Sequence, residues 1–180
     1  MKLNLITIAT VKAQLGILTA TTTYDAQITA MIPIVSNDVR RILNCDYSYH
    51  VFATITSGSA EVTMKSGFNM GQVVYSASIP DDTYLESYDY ETGIYTLSAN
   101  ATATDTYLYP TIEIGMFPAI SKMIFYKIGK AVTGSAELEI YKSVSYGNVS
   151  KSFTDDEINK KFDYPSIYIN ELGTQYQKVG

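Results

Sequence analysis

The chain has 180 residues, 46% of them hydrophobic, and a formal net charge of −5, a composition ordinary for a folded globular protein with one core or two small ones. A single cysteine, Cys45, excludes an internal disulfide framework, and a single histidine, His50, leaves no cluster of soft metal ligands. No apolar run reaches the roughly 18 residues of a membrane span, and Met1-Lys2 is not followed by a signal-peptide core and cleavage site, so neither membrane insertion nor Sec export is expected.

Two amphipathic segments open the chain, Leu5 to Ile17 and Tyr24 to Leu43. Thr7 is placed to cap the first, Val11 and Leu15 share its inner face, and Gly16 suits the left-handed residue that ends it. The second begins near Thr22 or Thr23, with Asp25 at its positive end. Its Ile28, Met31, Ile32, Val35, Val39, Ile42 and Leu43 recur at the three- and four-residue steps of one helix face. Pro33 lies inside it. A proline there costs about 3 kcal/mol, less than burial of seven such side chains returns at roughly 1.5–3 kcal/mol each, so one kinked helix is expected. Few apolar residues nearby can cover these faces, and the expected cover is the segment Pro118 to Val132, where Ile120, Met123, Ile124, Ile128 and Ala131 form a third stripe.

From Val51 the hydrophobic period shortens to two. Strands are predicted around Thr54-Ile55-Thr56, over Glu61 to Lys65, near Gln72 to Ala77, Tyr84 to Tyr90 and Ile94 to Ser98, and over Tyr107 to Ile114, punctuated by Ser57-Gly58-Ser59, Pro80-Asp81-Asp82 and Glu91-Thr92-Gly93. Short strands between turn residues predict a small antiparallel sandwich or barrel-like module. After the third helix, Glu137 to Tyr141 and Val144 to Phe153 read as a hairpin with Gly147-Asn148 at its turn. Thr154-Asp155-Asp156-Glu157 reads as a capping box that opens a short helix. The end of the chain, with Ile167, Tyr168, Ile169, Leu172 and Tyr176, is too apolar for a solvated tail. It packs on its own body or docks on another subunit. The expected class is therefore α+β: a small helical bundle body (1–48 and 116–180) with an inserted antiparallel β-module (49–115) and a C-terminal hairpin and tail.

Charge divides along the same lines. Between Tyr49 and Gly115 stand Glu61, Asp81, Asp82, Glu86, Asp89, Glu91, Asp105 and Glu113 against Lys65 alone. The cations Arg40, Arg41, Lys122, Lys127 and Lys130 fall on the second and third helices, where solvated faces and helix carbonyl ends compete with phosphate or DNA contact as their role. They form no basic cluster of the kind that binds nucleic acid strongly.

The order Leu5-Ile6-Thr7, Val11 to Ile17, Tyr24-Asp25-Ala26, Pro118-Ala119-Ile120, Ser143 to Ser150, and Tyr164-Pro165 with Leu172 and Tyr176 resembles the head-tail connector, or adaptor, proteins of tailed bacteriophages. Within the insertion, Gly71-Gln72-Val73-Val74, Ile79-Pro80, Thr83, Leu85 and Thr96 to Thr102 look like a β-module of phage structural proteins, although Ala77, Ser78 and Asp82 stand where that pattern places glycines. The resemblance implies a non-enzymatic virion neck protein, assembled in the host cytoplasm without a cofactor. It implies a homo-oligomeric ring, commonly of twelve, that sits beneath the portal protein, meets a tail or stopper protein and extends the channel for double-stranded DNA without sequence specificity. Portal docking then falls to Ile167, Tyr168, Ile169, Leu172 and Tyr176, and an assembly hairpin to Tyr146, Gly147 and Asn148.

Sixteen tyrosines and no tryptophan leave a second reading open. Tyr75, Tyr84, Tyr88, Tyr90, Tyr95, Tyr107 and Tyr109 crowd the insertion, where aromatic residues either pack a sheet or build a recognition surface. A carbohydrate-binding or fibre-anchoring β-rich virion protein is the alternative, with exposed rings beside an acid, as at Tyr88 and Asp89. Catalysis is the weakest reading. Asp81-Asp82 lies on a turn, Asp155-Asp156 is explained by capping, and neither pair is joined by a nucleophile motif.

Overall fold

Where hydrophobic spacing shortens at Val51, helices give way to a sheet. The computed structural model describes residues 4–45, 47, 49–65, 68–133, 143–146, 149–152, 158–159 and 163–176. These form four α-helices, a six-stranded antiparallel sheet that nearly closes into a barrel, and two small two-stranded pairings, a mixed α+β chain. It divides into two compact units, Asp46–Gly115 and Asn4–Cys45 with Met116–Lys178.

The helices are α1 (Ile8–Gln14), α2 (Asp25–Leu43), α3 (Phe117–Thr133) and α4 (Ser166–Tyr176). Thr7 caps α1: its Oγ1 accepts the Thr10 N–H at 3.3 Å, and Gly16 beyond the helix takes a left-handed φ of 67°. Helix α2 starts later than Thr22 or Thr23 would place it, after Tyr24, which makes no side-chain cap bond. It runs unbroken through Pro33 and stops at left-handed Asn44. Ile28, Ile32, Val35, Val39 and Leu43 are buried on its inner face, and five such side chains outweigh the roughly 3 kcal/mol cost of the proline. Ile120, Met123, Ile124 and Ile128 of α3 are buried as well, and α3 packs against α1, α2 and α4. The 3.6-residue period thus gives each long helix an apolar stripe, and α3 is the common partner.

An ammonium group holds the connection between α1 and α2. Lys12, 5% exposed, donates from Nζ to the carbonyls of Thr19 at 2.8 Å and Thr21 at 2.6 Å and to Asp25 Oδ1 at 3.0 Å. Asp25, favourable at the positive end of α2, therefore also neutralises a buried cation. The Leu5 N–H donates to Ser36 Oγ at 3.0 Å, which anchors the chain ahead of α1 to the middle of α2.

The second unit is built from β1 (Val51–Ile55), β2 (Glu61–Met64), β3 (Gln72–Tyr75), β4 (Leu85–Asp89), β5 (Ile94–Leu97) and β6 (Asp105–Glu113). Their order is β3-β6-β1-β2-β5-β4. The outer strands β3 and β4 approach through the Val73–Tyr84 bridge and the Val74 N–H bond to the Thr83 carbonyl, 2.9 Å. Register shifts between Phe52 and Ile55, Gln72 and Val74, and Leu85 and Ser87 supply the bends that curl a sheet toward closure. Pro110 sits beside one of them, opposite Val74, where a missing N–H is best tolerated in a strand. Inside lie Ala53, Ile55, Val62, Val74, Ile79, Leu85, Tyr95, Leu97, Ala101 and Leu108.

Strands β7 (Ser143–Tyr146) and β8 (Val149–Ser152) pair antiparallel, Tyr146 opposite Val149. The strand expected at Glu137 to Tyr141 and the capping box at Thr154 to Glu157 lie outside the described residues. Where a helix was expected to follow that box, Ile158–Asn159 is instead strand β9, paired with β10 (Tyr164–Pro165). Helix α4 begins only at Ser166, directly after Pro165.

Candidate functional site

The C-terminal apolar residues separate by the face of α4 they occupy. Tyr168 and Leu172, one helical turn apart, are buried, and Ile169 is half-buried. Ile167 keeps 40% of its surface exposed, and the Tyr176 side chain lies outside the described residues. Because α4 packs on α3 and α2, Tyr168 and Leu172 belong to the subunit's own core. This corrects the expectation that they form part of an external docking stripe, and leaves Ile167 and Ile169 as its surface members. Sequence composition had left both uses open, and the i, i+4 spacing of the buried pair was the signal for the internal one.

Polar bonds fasten the same segment. Tyr164 is fully buried, its hydroxyl donates to Asp38 Oδ2 of α2 at 2.7 Å, and its ring lies under Lys127 Nζ, 4.6 Å from the centroid. Lys122 of α3 donates to both carboxylate oxygens of Glu171 in α4 at 2.9 Å. Burial pushes the Tyr164 hydroxyl far above the ordinary tyrosine range, with the bond to Asp38 adding to it. Burial raises Tyr168 as well, with Glu171 contributing.

Four of the five cations of the second and third helices have partners within the chain. Arg40 and Arg41 occupy the last turn of α2, where positive charge complements the carbonyl end. Arg40 is only 7% exposed and its Nη1 donates to Asn37 Oδ1 at 3.4 Å, so it is a core residue and no outward phosphate contact. Arg41 is exposed and lies 3.5 Å from Asp38 Oδ1. Lys122 is paired with Glu171 and Lys127 lies 3.6 Å from Asp163. The Lys130 side chain, and Gly147 and Asn148 of the hairpin, lie outside the described residues.

In the barrel unit two of the acids, Asp89 and Asp105, hold turns and loops in place. Asp89 accepts the Glu91 N–H at 2.9 Å and the Thr92 hydroxyl at 2.7 Å, and the Thr92 bond, followed by the Glu91 one, lowers its pKa. Beside it Tyr88 packs edge-on to Tyr90 and tilted against buried Tyr95, while Tyr90 projects with 89% of its surface exposed. Asp105 accepts bonds from Ser76 and Ser78, both buried, and the Ser76 hydroxyl together with the Thr106 N–H holds its carboxyl below the usual range. The Ser78 carbonyl accepts from the Thr102 N–H at 2.7 Å, so this cluster pins one loop to another.

The densest aromatic grouping of the barrel is elsewhere, on β1, β6 and β3. Phe52 stands opposite Tyr107 and Tyr75 opposite Tyr109, with His50 between Phe52, Tyr107 and Tyr109. The tyrosines were visible in the sequence, but Phe52 and His50 were not joined to them. Alternation with buried Ala53 and Ile55 was the available signal.

Among the described residues no helix is long and apolar enough to cross a membrane. Comparison with protein-family models, with curated proteins and with solved structures finds no match.

Proposed function

We propose that this chain is a structural, non-enzymatic virion neck protein, a head-tail connector that forms a homo-oligomeric ring under the portal and extends the DNA channel toward the tail. The observation that carries this reading is the order of parts. Residues on both sides of the barrel contribute to one helical unit, and a hairpin and a short helix follow α3 in the chain. In this reading the four helices are the adaptor's bundle body and Asp46–Gly115 is the inserted module.

The placement of side chains refines the proposed contacts. Ile167 and Ile169 offer the apolar surface of α4 to the portal, with Tyr168 and Leu172 fixing that surface from behind. Tyr146, Gly147 and Asn148 remain the proposed assembly hairpin. Arg41, the most exposed of Arg40, Arg41, Lys122 and Lys127, is the one proposed to meet passing DNA, which it would do as a point charge without reading sequence. A head-to-tail ring closes when each copy's rotation relative to the next is right, and twelve copies is the proposed number. A tail or stopper protein would meet its lower face.

Mixing the purified protein with the portal of the same virus and imaging the product tests the reading. A coaxial ring on the portal is the expected result. An intact portal that remains bare over the same concentration range would reject it.

A further inference from the structure

Alternation along β1 and β6 turns Ala53, Ile55 and Leu108 into the barrel and Phe52, Tyr107 and Tyr109 away from it. On that outer face the rings form a connected group. Centroids are 5.2 Å apart for Phe52 and Tyr107, 4.9 Å for His50 and Tyr107, 5.6 Å for His50 and Tyr109, and 6.4 Å for Tyr75 and Tyr109. Sheet packing explains part of this, because directly opposed aromatic pairs stabilise a strand pairing. It accounts for half-buried Tyr75 and Tyr109. It does not account for Phe52, which is 71% exposed, or for Tyr107 at 37%. A single exposed ring is unremarkable, but contiguous exposed rings mark an interaction surface.

Charge selects the occupant. The eight carboxylates between Tyr49 and Gly115 face only Lys65 in opposition, so the field of this unit repels anionic polymers, and a second copy would bring the same sign of charge. A cationic partner is drawn in by that field, and a guanidinium or ammonium group is also attracted to the face of an aromatic ring. The aromatic face and the net negative charge of the unit that carries it therefore favour the same chemistry. We propose that the Phe52–His50–Tyr107–Tyr109 face docks a basic protein segment, which lays arginine or lysine side chains over these rings. The inference rests on the barrel unit alone and stands whether or not the chain is a connector.

His50 is the only histidine of the chain, so its imidazole NMR signals report on this face without interference. The full-length protein is titrated with hexa-arginine, hexa-glutamate and a neutral gluco-oligosaccharide. Hexa-arginine is expected to shift the His50 signals to saturation, with affinity falling as salt rises, and hexa-glutamate and the sugar to leave them in place. Phe52→Ala with Tyr107→Ala should weaken hexa-arginine binding by roughly tenfold or more, about the loss of two such ring contacts. Phe52→Leu, which keeps an apolar side chain at an exposed position and removes only the ring, should weaken it by roughly threefold. A sugar that moves the His50 signals while hexa-arginine does not would overturn the proposal in favour of glycan recognition. Binding of hexa-arginine that ignores Phe52→Leu would overturn it too, by showing that carboxylates elsewhere hold the peptide.

Discussion

Replacing Leu172 by alanine and, separately, Ile167 by alanine distinguishes a helix that completes the subunit from one that merely hangs on it. Leu172 is fully buried, whereas Ile167 on the same helix keeps 40% of its surface exposed. The leucine change removes three carbons from the core, about 2.4 kcal/mol at roughly 0.8 kcal/mol each. A residual cavity adds to this, within the roughly 2–5 kcal/mol range of such substitutions. A loss of about 3 kcal/mol, near the lower part of that range, is expected for Leu172→Ala and less than about 1 kcal/mol for Ile167→Ala. Urea unfolding followed by far-UV circular dichroism reads the difference. At a slope near 2 kcal/mol per molar, the Leu172→Ala midpoint falls by about 1.5 M and that of Ile167→Ala barely moves. Equal midpoints for the two variants would refute the placement of α4 in the core. If the connector reading holds, the order reverses for portal affinity, with Ile167→Ala the more damaging change per unit of stability lost.

Other consequences are equally open to measurement. Lys12→Met strands two loop carbonyls and Asp25, and should cost about 2–4 kcal/mol in urea unfolding, whereas a more exposed pair such as Lys127–Asp163 should be worth no more than about 1 kcal/mol. Tyr164→Phe loses a hydrogen bond to a carboxylate and should lower stability by about 1.5–3 kcal/mol while leaving the far-UV spectrum unchanged. Tyr164 and Tyr168 have pKa values raised in the folded state. The unfolded chain therefore holds fewer protons once pH passes its ordinary tyrosine pKa of about 10, and stability declines from there upward, by as much as about 3 kcal/mol per pH unit for the two together. A spectrophotometric titration should show them ionising only with unfolding. Asp105 is shifted the other way, so its contribution is present above its unfolded pKa of about 4 and is lost as pH falls through the lower folded value. The melting temperature of Asp105→Asn should fall below that of the parent at neutral pH and converge with it in acid.

Helical spacing carried most of the legible structure. Ile28, Ile32, Val35, Val39 and Leu43 could be read as one face of α2, and Ile120, Met123, Ile124 and Ile128 as the face of α3, because a period near 3.6 needs no knowledge of the partner. The run around Thr54-Ile55-Thr56 was legible as strand, but Phe52 was not set apart from Ala53 and Ile55, although their alternation carries that signal. The choice between a sandwich and a barrel-like sheet was not readable, since it depends on register shifts at Phe52, Gln72 and Leu85 that leave no mark on the alternation. Burial of Lys12 was hidden for a different reason: two of its partners are backbone carbonyls, which every residue possesses. In α4 the apolar residues were evident, but composition does not say which of them look inward. For Arg40 the sequence left a solvated face, the helix carbonyl end and phosphate contact open together, because charge alone does not report burial; the residue lies at the carbonyl end of α2 and is only 7% exposed.

Antibody labelling of intact virions tests the central claim most directly. With an antibody against the barrel unit, the connector reading predicts label at a single site, the junction between head and tail. Label spread over the capsid or along fibres, with none at that junction, would contradict it.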